Sequence, residues 1–232
     1  AKEVESGVQL ESISTGVVEG ARYGIPIEGM HFQMLYLNAD MFNEAGLDPS
    51  RPPKDFNELL EYAQKLTEYD GTGKVVRAGF AVRHKGNAIG LADKFLPFAH
   101  GFGARMLSED GRNAEGFLNG PKMVEALTWY GNLVHSEKPV ASVEIENPLG
   151  AVGGGQATMM LRESFAAAWL KQNAPAANFK IYPAPLGPAK VAHLVNLFPW
   201  ADLVNKNSPN KELAWQFLGW YFEPQNELAL RQ

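Results

Sequence analysis

Apolar residues fall along this chain in two rhythms. Dense runs of Val, Ile, Leu, Phe and Met occupy 22–27, 32–37, 75–82, 158–161 and 179–182, each bounded by turn residues. Apolar runs of that length and composition read as strands. Between them apolar positions recur every three or four residues, which places them on one face of a helix. Strands alternating with helices predict an α/β architecture.

Three helices are signalled by their ends as well as their period. Pro52-Pro53 stop the chain, and Asp55 and Glu58 then stand at capping-box spacing, with Asp in place of the usual Ser or Thr. Behind them Phe56, Leu59, Leu60, Ala63 and Leu66 share a face. A second helix is expected from Pro121, with Met123, Val124, Leu127, Tyr130 and Val134 on its apolar stripe. A third is expected to take Ser208 as N-cap and Pro209 as its first residue. It should bury Leu213, Ala214, Phe217, Leu218 and Tyr221. Trp129, Trp215 and Trp220 also lie on helical patterns and are assigned to packing. Glu223-Pro224 closes the third helix and opens a last one running to Gln232, so the chain is expected to be a cut one.

Two extended stretches, 24–29 and 183–188, carry prolines that cannot donate to a continuous ladder. They read as crossovers. The region between them is long enough for a domain. The flanks 1–23 and 194–232 are too small to fold alone and read as pieces of a second one.

Charge and composition narrow the chemistry. The formal net charge is −5 and the basic residues are scattered singly, which excludes the clustered basic face of a nucleic-acid binder. With no cysteine, disulfides, thiolate metal sites and cysteine nucleophiles are excluded. No apolar run has the length to cross a bilayer. Ala1-Lys2-Glu3-Val4-Glu5 has no signal-peptide pattern, so an exported protein is expected to carry its signal outside this sequence. The metalloprotease, nucleophile-elbow and phosphate-loop motifs are missing. The five histidines, at 31, 84, 100, 135 and 193, have no metal-ligand spacing. The run 70–73, Asp-Gly-Thr-Gly, reads as a turn without the acidic ligands of a calcium loop.

A set of short motifs, in order, covers nearly the whole chain: YGIPIEGMHFQMLYLN at 23–38, NEAGL at 43–47, PPKDFNEL at 52–59, Leu66-Thr67 with Asp70-Gly71, GGQATMM at 154–160, and NSPNKELAWQFL at 207–218. Together they resemble the family 1 extracellular solute-binding proteins, the maltose-binding-protein-like group. Two positions depart from the family pattern: Gln156 replaces its usual Lys, and Phe198-Pro199 replace the Gly-Gly before its late tryptophan.

The resemblance implies an α/β, periplasmic-binding-protein-like clamshell of type II, represented mostly by its second lobe. By this reading 1–30 is a remnant of lobe one with the first crossover, 31–184 is lobe two, 185–193 is the second crossover, and 194–232 returns to lobe one. It implies a non-enzymatic, cofactor-free monomer, periplasmic or at the cell surface. That protein captures a carbohydrate or sugar-like small-molecule ligand and delivers it to the transmembrane permease subunits of an ABC importer by Venus-flytrap closure. A glycoside hydrolase combines the same residue types, aromatics with paired carboxylates, and stays open as an alternative, as does a ligand sensor without transport.

Sugars are held by aromatic faces and by polar side chains that reach hydroxyls. Candidates are therefore sought at crossovers and strand ends. Glu28 and His31 lie at the first crossover, where the resemblance places a ligand-contacting carboxylate. Arg162, Glu163 and Phe165 follow the 158–161 strand; Phe165 holds the place of a sugar-stacking aromatic, and Arg162 and Glu163 either contact hydroxyls or pair with each other in solvent. Trp200, beside the proline turn at the return into lobe one, matches a stacking tryptophan. The polar loop 83–87 ends a strand and either lines a ligand crevice or is solvated surface.

Overall fold

The computed structural model describes residues 16–193 and 195–230. It begins with a two-stranded antiparallel hairpin, β1 (Val17–Val18) and β2 (Ala21–Arg22), in which Val18 faces Ala21. Glu19 and Gly20, at φ 50° and 79°, make the two-residue turn, the backbone that hairpin twist favours. β3 (Gly24–Asn38) follows as a single strand of 15 residues, where the sequence suggested a proline-bearing crossover followed by a separate strand. The chain then divides into two compact units, Phe32–Asn196 and Ala1–His31 with Leu197–Gln232.

In the larger unit, residues 32–38 of β3 lie at the middle of a mixed sheet. The elements after β3 are α1 (Ala39–Glu44), α2 (Phe56–Leu66), β4 (Glu68–Tyr69), β5 (Val75–Ala81), α3 (Ala88–Gly101), α4 (Pro121–His135), α5 (Pro148–Gly153), β6 (Ala157–Glu163), α6 (Ala166–Asn173) and β7 (Phe179–Pro183). Strand order is β4-β5-β6-β3-β7. β3 runs antiparallel to both β6 and β7, with Leu35 opposite Leu161 on one side and Tyr182 on the other, while β5 and β6 are parallel. Strand alternation sorts the core into two layers. Leu35, Leu37, Phe80, Met159 and Leu161 pack with residues of α2, α3 and α4. Tyr36 and Met160 pack on the other side with residues of α5 and α6.

α2 forms as its sequence predicts. Asp55 accepts from the amides of Asn57 and Glu58 at 3.1 and 3.0 Å, and Phe56, Leu59, Ala63 and Leu66 are buried. The reciprocal half of the capping box shifts by one residue, because Glu58 reaches the Lys54 amide at 3.0 Å rather than that of Asp55. β5 lies so close to α2 that a Cβ on Gly79 would meet the Ala63 carbonyl oxygen at 1.9 Å. Thr67 seals the contact, donating to that carbonyl at 2.7 Å and accepting from the Gly79 amide at 3.1 Å.

The stripe of α4 differs from the expectation. Met123, Ala126 and Leu133 are buried, while Val124 and Leu127 stand 54% and 51% exposed. The buried face is rotated toward Trp129, whose ring stacks on Phe56 and Phe98 at 5.1 and 5.5 Å; this largest apolar surface sets the helix orientation. The Asp70 turn is as read: its carboxylate accepts from the Thr72 and Lys74 amides. The 183–188 stretch docks on the entry to α2, where Leu186 exchanges backbone hydrogen bonds with Lys54 and Phe56.

The smaller unit holds β1, β2, residues 24–31 of β3, residues 197–203 of β8 (Val195–Leu203), α7 (Lys211–Tyr221) and α8 (Pro224–Leu230). β8 pairs with β3. α7 begins two residues later than expected, with Asn210 rather than Ser208 at its N-cap. Ser208 is spent on the preceding turn, where its hydroxyl accepts from the Asn210 amide at 3.2 Å. Of the face expected to be buried, Leu218 alone is closed to solvent; Leu213, Phe217 and Trp220 are more than half exposed and Trp215 is 38% exposed. Phe217 packs on Trp220 and Tyr221 along the helix itself.

Candidate functional site

β6 is buried along nearly its whole length and ends in a charged pair, Arg162-Glu163. α6 starts three residues beyond it, so the intervening Phe165 is held at a helix entry and stands 45% exposed. The Arg162 guanidinium lies over the Phe165 ring, 5.4 Å from its centroid, at cation–π distance. Arg162 Nη1 is also 3.4 Å from Glu163 Oε2. The three residues read from sequence at this strand end are therefore together.

Arg162 and Glu163 do not pair in solvent. The Glu163 side chain is 2% exposed, and its Oε1 accepts from Lys94 of α3, which also donates to its neighbour Asp93. Lys94 and Asp93 are themselves about nine-tenths buried. Two cations and two carboxylates thus balance in a compact group. Burial works to raise the Glu163 carboxyl, but the Lys94 hydrogen bond and the charges of Arg162 and Lys94 outweigh it and hold the group below the usual carboxylate range. For Asp93 burial wins over Lys94 and, with the repulsion of Glu163, its carboxyl is raised. Arg162 is lowered, chiefly by burial. Beneath this group the Tyr36 hydroxyl donates to the Glu163 carbonyl at 3.1 Å, and burial pushes its pKa up to about 12.

Some hydrogen-bonding capacity is left over. Glu163 Oε2, Arg162 Nε and both amide atoms of Gln33 are buried with no hydrogen-bond partner. Beside Lys94 and Arg162 the surface forms an open recess bounded by Arg83, Phe98, Tyr130 and Pro148. Tyr130 fixes the start of the 83–87 loop by donating to the Arg83 carbonyl at 3.1 Å. The arrangement offers an exposed aromatic face, carboxylate and amide acceptors, and guanidinium and amide donors at one strand end.

Glu28 and His31 lie on β3 and Trp200 lies on β8; their side chains fall outside the described residues. Lys94, Asp93 and Gln33 were missed in the sequence. The doublet Asp93-Lys94 interrupts an otherwise apolar helix whose pattern is masked by Pro97. Gln33 is the one polar residue in the run 32–37.

The family described as bacterial extracellular solute-binding protein matches residues 2–228. A binding protein of Brucella abortus (strain 2308) is 26% identical over 214 residues, covering 91% of this chain and 49% of the relative. The erythritol/L-threitol-binding protein of Mycolicibacterium smegmatis is 27% identical over 207 residues, covering 87% of this chain and 42% of that protein. The chain thus spans about half the length of the curated relatives it matches. Among solved structures, an ABC transporter solute-binding protein from Thermotoga lettingae bound with α-D-tagatose superposes with a TM-score of 0.76 at 22% identity, covering 99% of this chain and 58% of that one. The fold is accordingly the α/β architecture of periplasmic binding proteins of type II, represented by about half of its length.

Proposed function

The chain belongs to the bacterial extracellular solute-binding proteins, and from that premise we propose that its parent protein captures a sugar or polyol outside the cytoplasm for an ABC importer. The larger unit serves as the second lobe and the smaller as part of the first. The full protein closes on its ligand, acts as a monomer, and hands the ligand to the transmembrane permease subunits without chemical change. The observation that carries this reading is the end of β6, where the half-exposed Phe165 ring lies beside Arg162 and the buried carboxylate of Glu163. An aromatic face covers the C–H surface of a polyhydroxyl chain or ring, and the charged groups bond its hydroxyls. Glu28, His31 and Trp200 remain proposed contributors. A glycosidase needs a carboxylic acid held protonated near neutrality. Glu163 is shifted the other way, toward an acceptor, and Asp93, whose carboxyl is raised, is spent on Lys94 in the buried group.

The test is calorimetry of the full-length protein with erythritol, L-threitol and α-D-tagatose. Phe165→Ala should weaken binding of the best of them at least tenfold, and Phe165→Trp should retain it. Binding unaffected by Phe165→Ala refutes the site, and turnover of a chromogenic glycoside refutes the non-catalytic role.

A further inference from the structure

Gln33 sits where the apolar face of β3 demands a hydrocarbon side chain. It alternates with Leu35 and Leu37 toward the main core layer, and it is 1% exposed. An amide can make about four hydrogen bonds, yet neither Nε2 nor Oε1 has a protein partner. Buried amides are otherwise nearly always satisfied, and an orphaned one destabilises the fold that carries it. Leucine would fill the position without that cost.

The register explains what the amide is aimed toward. Gln33 stands directly opposite Glu163 in the antiparallel β3–β6 pair, so the two side chains leave the same face about 5 Å apart at their Cβ atoms. Glu163 has one oxygen committed to Lys94 and the other, Oε2, without a hydrogen-bond donor. An acceptor that has the Arg162 charge 3.4 Å away but no hydrogen bond thus adjoins an amide with none. The group that satisfies both is a hydroxyl, which donates one bond and accepts another. An anion cannot donate to Glu163 Oε2, and an ammonium cannot accept from Gln33 Nε2.

We propose that Gln33 is a specificity-determining residue of the binding site, and that with Glu163 it reads one hydroxyl of the bound polyol or sugar. The hydroxyl donates to Glu163 Oε2 and accepts from Gln33 Nε2. This rests on the sugar or polyol reading given above. A site built to bond a hydroxyl discriminates strongly, because a ligand with that hydroxyl misplaced leaves the buried groups unpaired. Gln33 is thus a residue through which stereoisomers are told apart.

The experiment compares wild-type full-length protein with Gln33→Leu and the less bulky, unbranched Gln33→Met. It measures affinity for erythritol, L-threitol and α-D-tagatose, and the melting temperature of the ligand-free protein. Both variants should bind the best probe about ten- to a hundredfold more weakly, and the ratio of affinities for erythritol and L-threitol should move toward one. The ligand-free melting temperature should hold or rise, since an orphaned amide has been removed. Unchanged affinities and an unchanged ratio in a wild-type background that binds overturn the role of Gln33 alone. A lower ligand-free melting temperature in both variants, with affinity intact, assigns the amide to a resident water and also overturns it. A wild-type protein that binds none of the probes overturns the sugar–polyol reading and this inference with it.

Discussion

Replacing Lys94 by methionine keeps the length of the side chain and removes the charge between α3 and β6. Lys94 donates to both Asp93 and Glu163, and the Glu163 side chain is 2% exposed. Removing one partner of a buried ion pair typically costs about 3–5 kcal/mol, because the other charge is left uncompensated. Arg162 Nη1 remains 3.4 Å from Glu163 Oε2 and supplies part of the compensation, so the lower end, about 3 kcal/mol, is expected. In a domain of this size that is a fall in melting temperature of roughly 6–12 °C. Chemical denaturation followed by circular dichroism reads it as a lower midpoint at unchanged slope.

The pH dependence gives a second, independent sign for the same substitution. In the wild type Glu163 is held below its ordinary 4.5, so its stabilising contribution is complete above that value and is lost as pH falls through the lowered one. Without Lys94, burial is opposed by the Arg162 charge and a backbone hydrogen bond, and the loss on acidification should shrink or reverse. Adding Glu163→Gln to Lys94→Met should recover most of the stability at neutral pH, because a neutral amide no longer needs the cation. A cost below about 1 kcal/mol for Lys94→Met, or a double variant no more stable than the single one, would refute the reasoning.

Two further outcomes are expected. Asp55→Ala removes the acceptor for two amides at the start of α2 and should cost about 1 kcal/mol, measured by equilibrium denaturation. His100 and His193 face each other with Nδ1 atoms 2.6 Å apart, and desolvation together with the His193 charge lowers the pKa of His100 below its ordinary 6.5. The unfolded chain therefore binds a proton first. Stability should be present above pH 6.5 and fall as pH drops below it, by well under the limiting value of about 1.4 kcal/mol per pH unit because the pair is exposed and screened. His100→Gln should flatten that slope in melting curves taken between pH 5 and 8.

The elements that the sequence announced were those whose signals are local. α2 has its cap, its stop and its periodic face within 15 residues, and all three appear in the structure. β5, β6 and β7 are apolar runs between turns, and they form within a residue or two of the expected bounds, although β7, at the sheet edge, is partly exposed. Legibility failed where a distant surface decides. Val124 and Leu127 satisfy a helical stripe as well as Met123 and Ala126 do, and the choice falls to Trp129 stacking on Phe56, 73 residues away in the chain. Ser208 and Pro209 form a valid N-terminal signal, but Ser208 closes a turn from Asn205 and its hydroxyl meets the Asn210 amide before the helix begins.

The site divides along the same line. Arg162, Glu163 and Phe165 were readable because a strand end followed at once by a helix fixes three consecutive side chains at one place. Their partners were not, since Lys94 meets Glu163 across 69 residues and no local pattern couples them. What each partner does leave in the sequence is a violation: a charged doublet inside the apolar helix 88–101, and a glutamine among Phe32, Met34, Leu35, Tyr36 and Leu37. A buried polar group survives in a core only where something satisfies it. For Asp93, Lys94 and Glu163 that something is one another. For Gln33 nothing in the described chain does so, and this difference separates a residue that holds the site together from one left to meet what the site binds.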